Sequence, residues 1–119
     1  MRIAVTGHHG YIGSVLAPTL HAEGHDVVGF DSFYYQGCDF GPSRAFEPAR
    51  RMDVRDIATD DLRGFEAVVH LAALSNDPVG DLNPDWTVAI NGDATVSLAR
   101  AARSAGVQRF VFASSCSMY

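Results

Sequence analysis

The sequence predicts an α/β protein whose parallel sheet is covered by helices on both faces. Short apolar runs alternate along the chain with runs in which apolar residues recur at helical spacing. The apolar runs show no polar alternation, which is typical of parallel strands buried on both faces. Glycines follow the first apolar run directly and precede the first helical run, so a tight turn joins the first strand to the first helix.

Composition predicts one globular domain in a reducing compartment. The chain has 119 residues, of which 47% are hydrophobic and 19% charged, enough for a single core. A formal net charge of -5 and the lack of a basic cluster argue against a nucleic-acid partner. Cys38 and Cys116 form neither a metal spacing nor a disulfide framework. No run approaches the roughly 20 apolar residues that cross a membrane, and no signal peptide is evident, so we expect a cytoplasmic protein with no membrane partner.

The chain opens with a strand predicted at residues 3–6 and a helix predicted at residues 11–23. Pro18 lies inside the helical run, where it removes a backbone donor and should bend the helix. Gly24 is expected to end this helix.

Between this strand and helix lies the spacing G-x-x-G-x-x-G, formed by Gly7, Gly10 and Gly13. Gly7 permits a backbone geometry that a side chain would forbid, and Gly10 lets the main chain approach a ligand. Gly13 lets the helix pack closely on the strand. Because N–H groups and the dipole at a helix start favour negative charge, the motif predicts a pyrophosphate site, although glycines also mark ordinary turns.

A second strand is predicted at residues 26–31 and ends in Asp31, at the distance where an acid meets the ribose hydroxyls of an adenosine. Residues 32–42 lose all periodicity and are rich in aromatics and turn formers. We interpret them as a long loop, either functional or packed on itself at the surface.

The rest of the chain continues the alternation, with strands predicted at residues 50–54, 67–73 and 107–113 and helices at 57–62 and 84–105. The strand at 67–73 runs into small residues, which a closely approaching ligand requires. Right-handed crossovers then give a doubly wound, Rossmann-type parallel sheet. The pattern stops just after the fifth strand, so we expect residues 1–119 to be one domain truncated at that point.

With these motifs in place, the chain resembles the amino-terminal half of an extended short-chain dehydrogenase/reductase, of the NAD-dependent nucleotide-sugar epimerase and dehydratase group. The resemblance rests on motifs that occur in family order: residues 6–13, Asp31, residues 53–56, residues 70–73, Asn91 with Thr95, and residues 114–119.

The resemblance implies a NAD site and a nucleotide-sugar substrate. The implied cofactor-binding residues are Gly7, Gly10, Tyr11, Ile12 and Gly13 at the pyrophosphate, Asp31 at the ribose, Asp53 and Val54 at the adenine, Leu71, Ala72, Ala73 and Leu74 along the adenosine channel, and Asn91 beside the cofactor. Ser115 matches the serine that hydrogen-bonds the reacting sugar oxygen.

Several of these residues have a simpler structural interpretation. Asp53 could cap the turn that follows it, Ser115 could belong to a plain turn, and Asn91 could brace the sheet instead of touching the cofactor. We interpret His70 as a packed histidine at a strand end. We expect His8 and His9 to be exposed in the loop, and because adjacent side chains point apart, we expect no metal site there.

Charge near Asp31 predicts NAD and not NADP. A 2'-phosphate beside Asp31 would bring two anions together, and neither Arg nor Lys occurs at positions 32–34 to neutralise it.

The resemblance also implies hydride transfer at a sugar carbon, with a tyrosine as proton acceptor in the pattern Y-x-x-x-K. All nine basic residues are Arg, so the sequence cannot hold that pair, and Tyr119 matches a different tyrosine of the family. We therefore expect the full-length parent to be an enzyme and this chain alone to be inactive. In the family, full-length proteins are usually homodimers that pair through helices such as residues 84–105.

The sequence is also compatible with two other functions. The chain could belong to a non-catalytic sensor that binds a dinucleotide, or to an interaction module of the same fold that binds none. Ser115 in the matched motif favours the enzyme, since a sensor needs no hydroxyl facing a sugar.

Overall fold

The computed structural model describes residues 1–38, 46–75 and 82–115. Five parallel strands form one sheet in the order β3-β2-β1-β4-β5. Their bounds are Arg2–Thr6 (β1), Asp26–Asp31 (β2), Ala49–Arg51 (β3), Ala67–His70 (β4) and Arg109–Phe112 (β5). This order confirms the predicted doubly wound sheet, in which the chain moves outward from β1 first to one side and then to the other.

Helices connect the strands on both faces. Helix α1 spans Gly13–Ala22, and two 3-10 turns span Val54–Asp56 and Thr59–Leu62. A longer helical stretch consists of α2 (Pro84–Thr87), a π-helical segment (Val88–Asp93) and α3 (Ala94–Ser104). Among the described residues, no helix combines the length and apolar character needed to span a membrane.

The core is divided between the two faces of the sheet. Alternate residues of β1 point to opposite sides, so Ile3 and Val5 pack with Ala17 of α1, whereas Ala4 packs with the cluster that contains Leu98 of α3. All of these side chains are at most 5% exposed. Both faces of the sheet are covered, which explains why the strands are unbroken apolar runs in the sequence.

Some predicted bounds were wrong, and local hydrogen bonds explain why. The third strand was predicted at residues 50–54 but ends at Arg51, because the Asp53 carboxylate accepts the Arg55 N–H at 2.9 Å and starts a 3-10 turn. The fourth strand ends at His70 and not at residue 73, since residues 71–75 form an irregular segment. The predicted bend at Pro18, which lies in α1, stays a prediction.

Candidate functional site

A cleft that is partly open to solvent lies at the carboxyl ends of β1, β2 and β4. This is the switch point of the sheet, where the connections from neighbouring strands turn to opposite faces and leave a crevice. Nine predicted cofactor-binding residues line it: Gly7, Gly10, Asp31, Asp53, Val54, Leu71, Ala72, Ala73 and Leu74.

The turn between β1 and α1 forms one side of the cleft. Gly7 has φ of +74°, and its N–H donates to the Phe30 carbonyl at 2.8 Å. A Cβ on Gly7 would lie 2.7 Å from the Ala72 nitrogen, and one on Gly13 would overlap the Gly7 carbonyl oxygen. Both glycines are therefore required by the packing of the protein itself.

The start of α1 leaves backbone donors available. Within the described parts of the chain, the N–H groups of Tyr11, Ile12 and Gly13 have no hydrogen-bond acceptor. The side chains of Tyr11 and Ile12 are 96% and 59% exposed and do not line the cleft. Their contribution to an anion site would thus come from the main chain.

Asp31 faces this turn from the end of β2. Its Oδ2 accepts the His9 N–H at 2.9 Å, and its Oδ1 accepts the Phe33 N–H at 2.8 Å. Phe33 has φ of +58°, in the left-handed region, and a turn follows at residues 34–37. Each carboxylate oxygen keeps a lone pair for a ligand hydroxyl. We call residues 7–13 together with Asp31 the glycine wall.

Asp53 lies at the far end of the cleft. Arg55 donates to it through Nε at 3.0 Å and Nη2 at 2.7 Å, and the Tyr34 hydroxyl donates at 3.2 Å. These contacts, chiefly those of Arg55, lower the pKa of the Asp53 carboxyl. The capping interpretation of Asp53 is confirmed, and its carboxylate also borders the cleft.

The opposite side of the cleft is the segment after β4, held from behind by the π-helical segment. The Asn91 side chain forms two hydrogen bonds of 2.8 Å with the backbone of Leu74, as acceptor from its N–H and as donor to its carbonyl. Asn91 does not itself line the cleft. The contact supports the bracing role weighed for this residue. We call residues 71–74 the β4 wall.

The prediction that His8 and His9 are exposed was wrong. His8 is 1% exposed, and its ring lies directly against Gly29 of β2, where the missing side chain leaves room. Burial lowers the pKa of His8. The His9 ring lines the cleft beside Phe33, at a centroid distance of 5.0 Å, and its buried Nε2 has no partner among the described residues.

Ser115 is an exposed residue that follows β5 by three positions and lies outside the cleft lining. Tyr119 and Cys116 lie outside the described residues. In the described ranges, no group of three or more His, Cys, Asp or Glu side chains could hold a metal ion.

Sequence reasoning missed several residues that line the cleft. They are Thr6, His9, Phe30, Ser32, Tyr34, Tyr35, Met52, Ile57 and Ile90. The aromatic density of residues 32–42 was a signal for Tyr34 and Tyr35, because that loop was one of the candidates for a functional role.

Comparison with known proteins identifies what this arrangement is similar to. Residues 3–119 match the model of the NAD dependent epimerase/dehydratase family. The UDP-glucose 4-epimerase of Mycolicibacterium smegmatis is 36% identical over 126 aligned residues, which cover 97% of this chain and 39% of that protein. The chain thus spans well under half the length of this relative.

Two solved structures share the fold and carry NAD. A UDP-glucose-4-epimerase from Stenotrophomonas maltophila, with bound NAD and formylated UDP-arabinopyranose, has a TM-score of 0.84 and 30% identity over 98% of this chain and 38% of its own. A short-chain dehydrogenase/reductase superfamily protein from Agrobacterium tumefaciens, with bound NAD, has a TM-score of 0.77 and 34% identity over 97% and 33%.

Proposed function

The chain belongs to the NAD dependent epimerase/dehydratase family, and from that premise we propose that it is the NAD-binding, amino-terminal part of an enzyme acting on nucleotide sugars. We assign residues 1–119 to one Rossmann-type domain that carries the cofactor and lacks the substrate-binding part. The parent protein would be an epimerase or dehydratase.

The proposal rests on the glycine wall, which offers both hydrogen-bond donors and a carboxylate acceptor to a ligand. Three backbone N–H groups at the start of α1 have no acceptor in the described part of the chain, and they suit a pyrophosphate. Asp31 presents a carboxylate, already oriented by two backbone amides, that suits ribose hydroxyls. One dinucleotide would use both features at once.

The residues divide into direct and indirect contributors. Gly7, Gly10 and the amides of residues 11–13 would hold the pyrophosphate, and Asp31 the ribose. Asp53 and Val54 would border the adenine, with residues 71–74 along the adenosine. Asn91 would act through Leu74, since both polar atoms of its side-chain amide bind that backbone.

Charge around Asp31 supports NAD over NADP. NAD is also the cofactor that the family description names. The β2–β3 register brings Arg51 beside Asp31, a neighbour that the sequence at positions 32–34 did not reveal. Its guanidinium donates to Gln36 at 2.7 Å and to the Ser32 carbonyl at 3.3 Å, and it stacks on Phe33. With Arg51 engaged in this way, a 2'-phosphate would meet the Asp31 charge.

Bound NAD would supply the hydride acceptor and donor for a sugar carbon. Within this chain, Ser115 would hydrogen-bond the sugar oxygen. The sequence contains no lysine, so the Tyr and Lys pair expected to move the hydroxyl proton is not part of it, and the 119 residues alone should not turn over substrate. We place the protein in the cytoplasm.

We further propose that the full-length protein pairs as a homodimer through the α2–α3 stretch. Trp86, Val88 and Val96 of this stretch are 58%, 61% and 50% exposed, which leaves apolar surface for a second copy.

Calorimetric titration with NAD and NADP tests the cofactor assignment. We expect NAD to bind this chain at least about 10-fold more tightly than NADP, a difference of about 1.4 kcal/mol. No binding of either at about 1 mM would refute the proposal and favour an interaction module. Incubation with UDP-glucose and NAD should give no product, and epimerisation by these 119 residues would contradict the assigned role.

A further inference from the structure

His70 ends β4 and is completely buried, with 0% of its surface exposed. Its ring stacks on Phe112 of β5 at a centroid distance of 5.6 Å and an interplanar angle of 23°. Both ring nitrogens meet hydroxyl groups, with Nδ1 at 2.7 Å from Thr6 Oγ1 and Nε2 at 2.8 Å from Thr95 Oγ1. The ring therefore joins the end of β1 to helix α3.

The partners of the two threonines determine where the protons lie. The Thr95 hydroxyl donates its single proton to the Asn91 carbonyl at 2.9 Å, so toward His70 its oxygen can only accept. The tautomer that satisfies all of these contacts carries the ring proton on Nε2, which leaves Nδ1 to accept from Thr6. Burial lowers the pKa of His70 to about 4, so the ring is neutral at neutral pH, as this arrangement requires.

These hydrogen bonds reach both walls of the cleft. Thr6 immediately precedes Gly7, and its hydroxyl oxygen lies 3.4 Å from the Ala72 nitrogen as acceptor of that N–H. The Asn91 carbonyl accepts a hydrogen bond from the Thr95 hydroxyl, and the Asn91 side-chain amide holds the backbone of Leu74. His70 does not line the cleft, and both of its nitrogens are engaged, so it has no polar group left for a ligand.

We propose that His70, protonated on Nε2, is a positioning residue for the dinucleotide site that fixes the spacing between the glycine wall and the β4 wall. This inference rests on the proposed function, because the spacing matters only if the cleft binds NAD. It predicts that NAD affinity depends on Thr95, a residue outside the cleft lining.

Ring ¹⁵N spectra combined with NAD titration test the proposal on the 119-residue chain. In the wild type, the His70 shifts should be those of a protonated Nε2 and an unprotonated Nδ1, constant from about pH 8 to about pH 5.5. Thr95→Val removes the acceptor with little change in shape, so it should shift the His70 tautomer and weaken NAD binding about 10-fold. Thr95→Ser keeps the hydroxyl and should behave like the wild type.

Leu98→Val is the matched control for loss of stability, since Leu98 is 0% exposed on the same helix and should leave the NAD Kd unchanged. A protonated Nδ1 in the wild type, or unchanged NAD affinity in folded Thr95→Val, would overturn the positioning role. So would an equal loss of affinity in Leu98→Val. Should Thr95→Val not fold, Thr95→Cys offers only a weak acceptor and is read in the same way.

The same measurements separate this inference from the proposed function. If the wild type binds no NAD, the proposed function fails and the positioning role fails with it. If the wild type binds NAD and Thr95→Val binds it equally well, only the positioning role is lost.

Discussion

The two walls of the cleft differ in what their polar groups contact. On the glycine wall, the N–H groups of residues 11–13 and Nε2 of His9 have no partner within the described residues. On the β4 wall, Leu74 is held by two hydrogen bonds with Asn91, and behind this wall His70 contacts two threonine hydroxyls. The first wall is therefore suited to recognise a ligand, and the second to keep its own shape.

This difference indicates which substitutions should reduce stability and which should reduce NAD binding. Changes on the glycine wall should separate into those that disturb packing and those that disturb binding alone. Changes behind the β4 wall should affect stability, and they should weaken NAD binding only where they disturb the hydrogen bonds of His70. Three substitutions and a change of pH test this contrast.

Gly13→Ala should have the largest effect, because the new Cβ would overlap the backbone of Gly7 and His8. Backbone must then shift where α1 meets β1, so we expect a loss of about 3 kcal/mol in the free energy of unfolding, measured with urea. Gly92→Ala is the control, since its Cβ would meet nothing within 4 Å. A Gly13→Ala chain as stable as the wild type would show that this turn is not set by close packing.

Asp31→Asn should weaken NAD binding about 100-fold, or roughly 2.7 kcal/mol, since charge-assisted bonds to the ribose would be lost. Discrimination against NADP should narrow at the same time, because the repulsion of a 2'-phosphate is removed. Calorimetry with both cofactors measures the two effects. Asp60→Asn, at an exposed ion pair with Arg63, is the control and should bind like the wild type; an Asp31→Asn chain with unchanged affinity would exclude the ribose role.

Acidification should destabilise the β4 wall. The pKa of His70 is lowered from 6.5 to about 4. Below pH 6.5, His70 therefore becomes protonated in the unfolded chain while it stays neutral in the folded chain. The contribution of neutral His70 to the free energy of unfolding is complete above about pH 6.5 and declines toward about pH 4. The decline amounts to about 2 kcal/mol between about pH 7 and about pH 5. His8, whose pKa is also lowered by burial, adds to the same slope.

Urea unfolding at several pH values measures this slope. His70→Gln should flatten it, and His21→Gln, at an exposed position of α1, should retain it. An equal slope in His70→Gln and the wild type would mean that His70 is not the titrating group.

Gly10→Ala should have the smallest effect and the most selective one. Its Cβ would meet only the Gly7 carbonyl oxygen, at 3.3 Å, so stability should change by less than about 1 kcal/mol. The methyl group would occupy space that the pyrophosphate needs, and we expect NAD to bind about 10-fold more weakly. Thermal unfolding and calorimetry on the same preparation check both statements, and unchanged NAD affinity would remove Gly10 from the pyrophosphate site.

The sequence was sufficient where a feature depends on neighbours along the chain. Apolar runs defined the buried strands, and the spacing of Gly7, Gly10 and Gly13 located the turn on the cleft. Asp31 could be assigned because it ends a strand whose bounds were predicted correctly.

Features that depend on distant residues could not be predicted in this way. Arg51 comes beside Asp31 only through the β2–β3 register, and the hydrogen bonds of His70 join residues 64 and 25 positions apart. The π-helical segment that carries Asn91 was predicted as continuous helix, because it has no distinct apolar period in the sequence.

The contact between His8 and Gly29 has a consequence for protein engineering. Any Cβ at position 29 would overlap the imidazole ring, although 20 residues separate the two positions in sequence. A chimera that receives this loop on a scaffold with a larger residue at position 29 should therefore misassemble. Donor loop and acceptor strand would need to be exchanged as a single cassette, and libraries that randomise either position should vary the other together with it.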